Sequence, residues 1–246
     1  MVVLVACEES QTVTKAFRRA GIEAYSCDIQ DCSGGHPEWH IKGDALKEAY
    51  SGKYTLMIAH PPCTYLSKAG ARWMFPTAGN LCPDRLLKAM EAKDFFMKLL
   101  NAPIPFVAVE NPTPLKICGL PKHTQVVQPY EYGHPYSKRT LLWLKGLPEL
   151  IPTQVVDEYK PFLPSNTSGF ARGQGGSRGV ARNAKEASVT FDGIAEAMAS
   201  QWIEPVKSWT ELNRNKSKRS KTFDGIADAM ASQWSCFTGG YDDLLS

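Results

Sequence analysis

Apolar residues along the first two-thirds of the chain fall into short runs separated by longer stretches with helical spacing. Val2 to Ala6 is a β-branched apolar run, and a helical stretch follows from Thr12 to Ala20. Gly21 sits where a residue of left-handed conformation commonly ends a helix, and Ala24 to Cys27 reads as a second strand. Leu56 to Ala59 is a third run, halted by Pro61-Pro62. From Pro83-Asp84 to Leu100 a long helix is predicted, with Leu86, Leu87, Met90, Phe95, Phe96, Leu99 and Leu100 supplying a broad apolar face. Phe106 to Val109 and Thr140 to Leu144 complete the strands. Such alternation predicts a doubly wound α/β sheet.

After Pro148 the pattern changes. Gly169 to Arg182 holds five glycines and three arginines and reads as a basic loop. Beyond it, Thr190 to Trp202 recurs 32 residues later as Thr222 to Trp234, differing only at Glu196 against Asp228. Each copy reads as a short amphipathic helix with Phe, Ile, Met and Trp on one side. Two copies are too few for a solenoid; one is expected to dock on the core, leaving the other surplus or available for self-association. Three regions follow: 1–148, a catalytic body; 149–189, a basic Gly/Arg-rich loop or reduced recognition region; and 190–246, the duplicated helical segment.

Composition narrows the function classes. At 43% hydrophobic residues over 246, the chain can bury a substantial core. No apolar run is long enough to span a bilayer, and the apolar N-terminus lacks the basic flank of a signal peptide. A cytoplasmic protein is expected. The seven cysteines contain no Cys-x-x-Cys, and the histidines show no ligand spacing, so no metal is expected. Pro37 lies between His36 and His40, which read as surface or loop residues. Lys160 to Thr222 carries 11 Lys and Arg against 5 Asp and Glu, leaving −3 for the rest of a chain whose net charge is +3. A basic C-terminal third suits either a polyanionic partner or a solvated surface.

Ligands of open α/β sheets bind beyond the C-terminal strand ends. Five polar or reactive groups fall at such ends: Glu8 to Ser10, Asp28, Asp44, Cys63 and Glu110. Cys63 follows two prolines, whose fixed φ stiffens the turn and suits a nucleophile that must meet its target at one angle. Attack requires thiolate, so a cation or the substrate must activate it. The alternative is a buried inert thiol; the Pro-Pro context at a strand end favours the nucleophile. Glu110, followed by Asn111-Pro112, is either a salt-bridge or cap carboxylate or a desolvated acid. In the second case it is expected to be protonated near neutrality and to hydrogen-bond a ring nitrogen. Asp28 stands where an acid commonly holds ribose hydroxyls. Asp44 after Gly43 reads first as a turn residue, and secondly as a contact for an adenine amino group.

In this order the motifs resemble those of the cytosine-5 DNA methyltransferases. His60-Pro-Pro-Cys-Thr-Tyr-Leu-Ser67 is similar to the family's nucleophile loop, and Pro83-Asp84-Arg85 with its helix to the segment after it. Val109-Glu110-Asn111-Pro112 resembles the Glu-Asn-Val motif, and Tyr132 to Arg139 the basic approach to a later strand. Val5-Ala-Cys-Glu-Glu-Ser10 with Ala16 to Gly21 resembles the cofactor loop and its helix, with Ala6 to Ser10 where the family has glycines. The opening block and the His-Pro-Pro-Cys run are also similar to small methyltransferase-like proteins of bacteriophages and prophages.

The resemblance spans about residues 1–148. It implies a Rossmann-like, mostly parallel doubly wound sheet of the class I S-adenosylmethionine-dependent methyltransferase type, with a small irregular C-terminal region. Cys63 would add to C6 of a cytosine, Glu110 would hold N3, and C5 would take the methyl group, with Lys138 and Arg139 completing the catalytic set. Cys7, Glu8, Ser10, Asp28, Ile29, Asp44 and Pro61 would surround S-adenosylmethionine. The implied partner is DNA, duplex or single-stranded. A base inside a duplex must be flipped out. Transfer to an exocyclic amino group is a second reading, although Cys63 stands where that chemistry usually places an aromatic residue. A third is a non-catalytic methyltransferase-like protein that binds nucleic acid or a defence protein.

Overall fold

The structure is a computed structural model that describes residues 1–77, 80–163, 180–181 and 188–219. The second repeat copy and most of the Gly/Arg-rich stretch lie outside the described residues. Contacts divide the chain into two units, Met1–Val206, which holds every strand found among the described residues, and Lys207–Ser246.

Elements follow in the order β1 (Val2–Ala6), α1 (Thr12–Arg19), β2 (Glu23–Asp28), β3 (His40–Lys42), α2 (Ala45–Ala49), β4 (Leu56–Ala59), α3 (Ala71–Met74) and α4 (Pro83–Leu100). Then come β5 (Phe106–Asn111), β6 (Gln125–Val127), β7 (Tyr136–Ser137), β8 (Thr140–Lys145), β9 (Lys160–Pro161) and a long helix, α5 (Asp192–Arg219). One seven-stranded sheet runs β3-β2-β1-β4-β5-β8-β6, while β7 and β9 pair separately. β1 to β5 are mutually parallel; β8 runs against both β5 and β6. This is the mostly parallel, Rossmann-like doubly wound class expected.

The apolar runs are continuous because both sheet faces are covered. Side chains alternate between faces along each strand. Val3, Val5, Leu56, Ile58 and Ala108 join one core with Val13 and Phe17 of α1 and Ile194, Met198 and Trp202 of α5. Leu4, Ala6, Met57, Ala59, Val107 and Val109 join the other, with Phe96 and Leu99 of α4. The first repeat copy is therefore part of the main core. Its helix is not short: it continues past Trp202 through Pro205 to Arg219. Pro83 opens α4 at a position where its missing N–H has no intrahelical role.

The shortest elements lack a legible apolar signature. β3 and β6 have three residues each and α2 has five, too few for a period to show. Pairing places β3 and β6, which close the two sheet edges.

From β1 the chain winds outward through β2 to β3, then returns to β4 on β1's other side. The topological switch point thus lies between β1 and β4, where open sheets form their ligand crevice. Beyond it lie Cys7 to Gln11 and His60 to Cys63.

Candidate active site at the switch point

A cavity of about 1080 Å³ opens at these strand ends. Cys7, Glu8 and Ser10 line it beside β1, His60, Pro61 and Cys63 beside β4, Glu110 on β5, Lys138 and Arg139 before β8, and Thr190 before α5. All four residues expected to act chemically therefore share one space.

The Cys63 turn is fastened on both sides. The Leu66 and Ser67 N–H groups donate to the Cys63 carbonyl at 3.1 and 2.9 Å. Asn111 Nδ2 donates to the Pro61 carbonyl at 3.0 Å, and the Lys68 N–H to the Thr113 carbonyl at 2.9 Å. Pro61 is buried and serves as this anchor for Asn111, while the partly exposed Cys63 faces the cavity. Burial pushes the Cys63 thiol up, against the opposing pull of its own backbone amide, Lys138 and the Ser67 hydroxyl. The resting group is a thiol, and activation must accompany substrate binding.

Glu110 is paired. Parallel register sets Ala59 opposite Val109, so the next residues, His60 and Glu110, are neighbours across the strands. His60 Nδ1 lies 3.0 Å from Glu110 Oε2, and the Thr190 hydroxyl donates to the same oxygen at 3.0 Å. Burial alone would push the carboxyl up; the hydrogen bond and charge of His60, the Lys138 ammonium and the Thr190 hydroxyl together bring it down to about 2. Of the two readings of Glu110, the structure favours the paired carboxylate: desolvation is present, but the His60 imidazole, the Lys138 ammonium and the Thr190 hydroxyl accompany it. For His60, burial opposes protonation, yet the Glu110 hydrogen bond and charge, with the Glu8 charge, hold the imidazole above its usual range. His60 Nε2 is buried without a partner among the described residues.

Lys138 reaches the same space. Its ammonium donates to the Val189 carbonyl at 3.0 Å, and burial lowers its pKa against the supporting charges of Glu110 and Cys63. Arg139 is exposed on the cavity wall. The chain just before α5 thus closes over the site through Val189 and Thr190, the first residue of the repeat.

The strand ends beside β1 are arranged differently. Glu8 lines the cavity, but Oε1 accepts from the Val13 N–H at 2.6 Å and Oε2 from the Thr14 N–H and hydroxyl at 3.2 and 2.7 Å. Its carboxyl caps the N-terminus of α1, satisfying orphan helix donors. Burial pushes that carboxyl up, opposed by His60 and by the α1 donors. Ser10 bonds the Thr12 hydroxyl at 3.4 Å. Cys7 and Gln11 adopt left-handed φ values of 60° and 58°. The loop thus makes glycine-like turns without glycine at those positions, at some conformational cost.

Asp28, Ile29 and Asp44 lie on the adjoining ends of β2 and β3, outside the residues that line the cavity. Asp28 accepts from the Gln30 N–H at 2.9 Å, and Asp44 caps α2 through the Leu46 N–H at 2.8 Å. They converge on Cys7: burial, then the Asp28 charge, Cys27 and the Asp44 charge, push its thiol strongly up. Ile29 is 76% exposed beside Asp28. A carboxylate next to an apolar side chain left in water suits the ribose and base of an adenosine group.

His60 and Thr190 were not singled out as site residues by the sequence patterns. The one available signal for His60 was its place directly before Pro-Pro-Cys; for Thr190 it was its place at the start of the repeated block, which is similar to the methyltransferase helix that returns to the cofactor pocket.

No known family pattern matches the chain, and no curated protein matches it by sequence. Among solved structures it is similar to an E. coli protein described as a DNA modification methyltransferase encoded within a prophage, at 14% identity and a TM-score of 0.40 over 63% of this chain and 52% of that one. It is also similar to the Entamoeba histolytica methyltransferase EhMeth, at 13% identity and 0.39 over 63% and 57%. A third is a mutant of Spodoptera frugiperda DNMT2, at 15% identity and 0.34 over 66% and 55%. The chain spans a little over half the length of each, so the arrangement above stands on its own geometry.

Proposed function

We propose that this protein is a nucleic-acid cytosine-5 methyltransferase in which Cys63 is the nucleophile. The observation that carries the reading is the meeting of Cys63, the His60–Glu110 pair and Lys138 on one cavity, large enough for an extruded base. A Pro-Pro-Cys turn and an Asn-Pro carboxylate on adjacent parallel strands supply the nucleophile and the group facing the ring nitrogen.

The charge state of Glu110 shapes the mechanism. Cytosine N3 is an acceptor, so an ionised carboxylate alone repels it. The His60–Glu110 pair holds a proton on the shared hydrogen bond, and transfer through Glu110 places it on N3 as the Cys63 sulfur bonds to C6. The thiol proton passes to solvent as the sulfur attacks, with the Lys138 ammonium lowering the cost of the developing thiolate. C5 thereby gains electron density. S-adenosylmethionine, when bound, supplies the electrophilic methyl group that C5 accepts. Loss of the C5 proton to solvent water and breakage of the C6–S bond then restore the ring and free Cys63, whose sulfur regains a proton from solvent, while the N3 proton returns to the pair. Asp28, Ile29 and Cys7 are the residues that would hold the donor's adenosine end, with Asp44 beside them.

Trapping with an oligonucleotide containing 5-fluorocytosine tests this reading, because fluorine at C5 blocks the final elimination. A covalent adduct is expected that requires both methyl donor and Cys63 and is lost in Cys63→Ser. Measurable donor binding by calorimetry with no adduct would overturn the cytosine-5 mechanism.

A further inference from the structure

The mouth of the cavity carries a second chemical pattern, alternating rings and cations. Trp73 lines the cavity and is 49% exposed. The Arg72 guanidinium stacks over it at 3.9 Å, and that of Arg85 lies 5.4 Å from the same ring. Arg85 also sits 4.9 Å from the Tyr65 ring, which has the Lys88 ammonium at 5.7 Å on its own account. None of these three cations is paired with a carboxylate in an ion pair found among the described residues.

This cluster is tied to the nucleophile loop. Arg85 Nη2 donates to the Thr64 carbonyl, one residue past Cys63, at 2.7 Å. Gly70 leaves the space it needs: a Cβ there would lie 2.6 Å from Arg85 Nη2. Arg85 thus links the Trp73 ring to the turn that carries Cys63.

A half-exposed tryptophan costs hydrophobic free energy unless something covers it. Unpaired guanidinium and ammonium groups beside it favour an anionic partner, and exposed cation–π contacts are weak enough to be shared with a phosphate. A planar ring bearing a phosphate on each side matches both features at once. Bases in a duplex already stack on one another and offer no free face, whereas unpaired bases do.

We propose that the Trp73 cluster is a stacking platform for an unpaired base next to the target, making single-stranded nucleic acid the preferred substrate. Trp73 supplies the ring face, and Arg72, Arg85 and Lys88 take the flanking phosphates. The proposal rests on the nucleic-acid reading above and extends it by naming the strand state.

The test is fluorescence anisotropy on the full chain with one labelled cytosine-containing oligonucleotide, single-stranded and annealed to its complement. Base–aromatic stacking of about 1–3 kcal/mol converts to a loss of about 5- to 150-fold in single-strand affinity for Trp73→Ala. Trp73→Phe, which keeps a ring, is expected to recover most of it. Duplex affinity should change by less than about twofold, and the salt dependence should be retained because the phosphate contacts remain. A thermal melt of each variant separates unfolding from loss of the platform. Equal weakening on both strand states, or none on single strands, would overturn the platform. Binding to neither form by the unmodified protein would overturn the platform and the nucleic-acid reading together. Trp73-dependent single-strand binding without the 5-fluorocytosine adduct would support the platform and reject only the cytosine chemistry.

Discussion

Removing the His60 imidazole should expose how strongly the buried pair at the site depends on its cation. In the folded protein the Glu110 carboxyl is brought from an ordinary 4.5 to about 2. At about 1.4 kcal/mol per unit, that difference corresponds to roughly 3 kcal/mol of stability at neutral pH. His60 is the largest of the lowering influences, so His60→Ala leaves Glu110 buried with burial largely unopposed. A loss of about 3–5 kcal/mol follows, as for other buried pairs stripped of one partner. The pH dependence has a definite sign. Glu110 is depressed, so its contribution is present above 4.5 and disappears as pH falls toward about 2. His60 is raised, so its contribution is complete below the ordinary imidazole value of 6.5 and disappears as pH rises through the higher folded value. The two shifts describe one interaction and are not added. Urea unfolding midpoints of the two proteins, compared across pH, should therefore differ most between 4.5 and 6.5 and less on either side. A difference below about 1 kcal/mol throughout that window, or one that widens in stronger acid, would refute the pairing.

Two further substitutions probe other parts of the structure. Lys138→Met removes the ammonium that pulls the Cys63 thiol down, so alkylation of Cys63 by iodoacetamide, followed by mass spectrometry, should slow at neutral pH and shift its profile upward; an unchanged profile would show that Lys138 does not act on the thiol. Trp202→Ala empties a fully buried position and breaks the Nε1 hydrogen bond to the Pro148 carbonyl. It should cost about 3–5 kcal/mol in denaturant unfolding, and a loss under about 1 kcal/mol would mean that the first repeat copy is not a core element.

What the chain alone determined is its layer architecture and the cast of reactive groups. Val2 to Ala6, Leu56 to Ala59 and Phe106 to Val109 are apolar at every position, which a parallel sheet covered on both faces requires. Cys63 and Glu110 were visible because proline halts the chain directly at the strand end in one case and Asn-Pro follows the carboxylate in the other. These are local signals, and local pattern is sufficient to carry them. Strand order, by contrast, belongs to the fold. Only the adjacency of β4 and β5 sets His60 against Glu110, 50 residues apart, and only the packing of α5 brings Thr190 to the same oxygen. The charge on Glu110 depended on that meeting, since a lone buried carboxyl and a paired one shift in opposite directions. Glu8 shows the same division: its position in the loop was legible, but its capping of α1 followed from how the loop folded back. A motif names the groups that can react; the neighbours that decide their protonation are gathered from distant segments, and only tertiary packing supplies them.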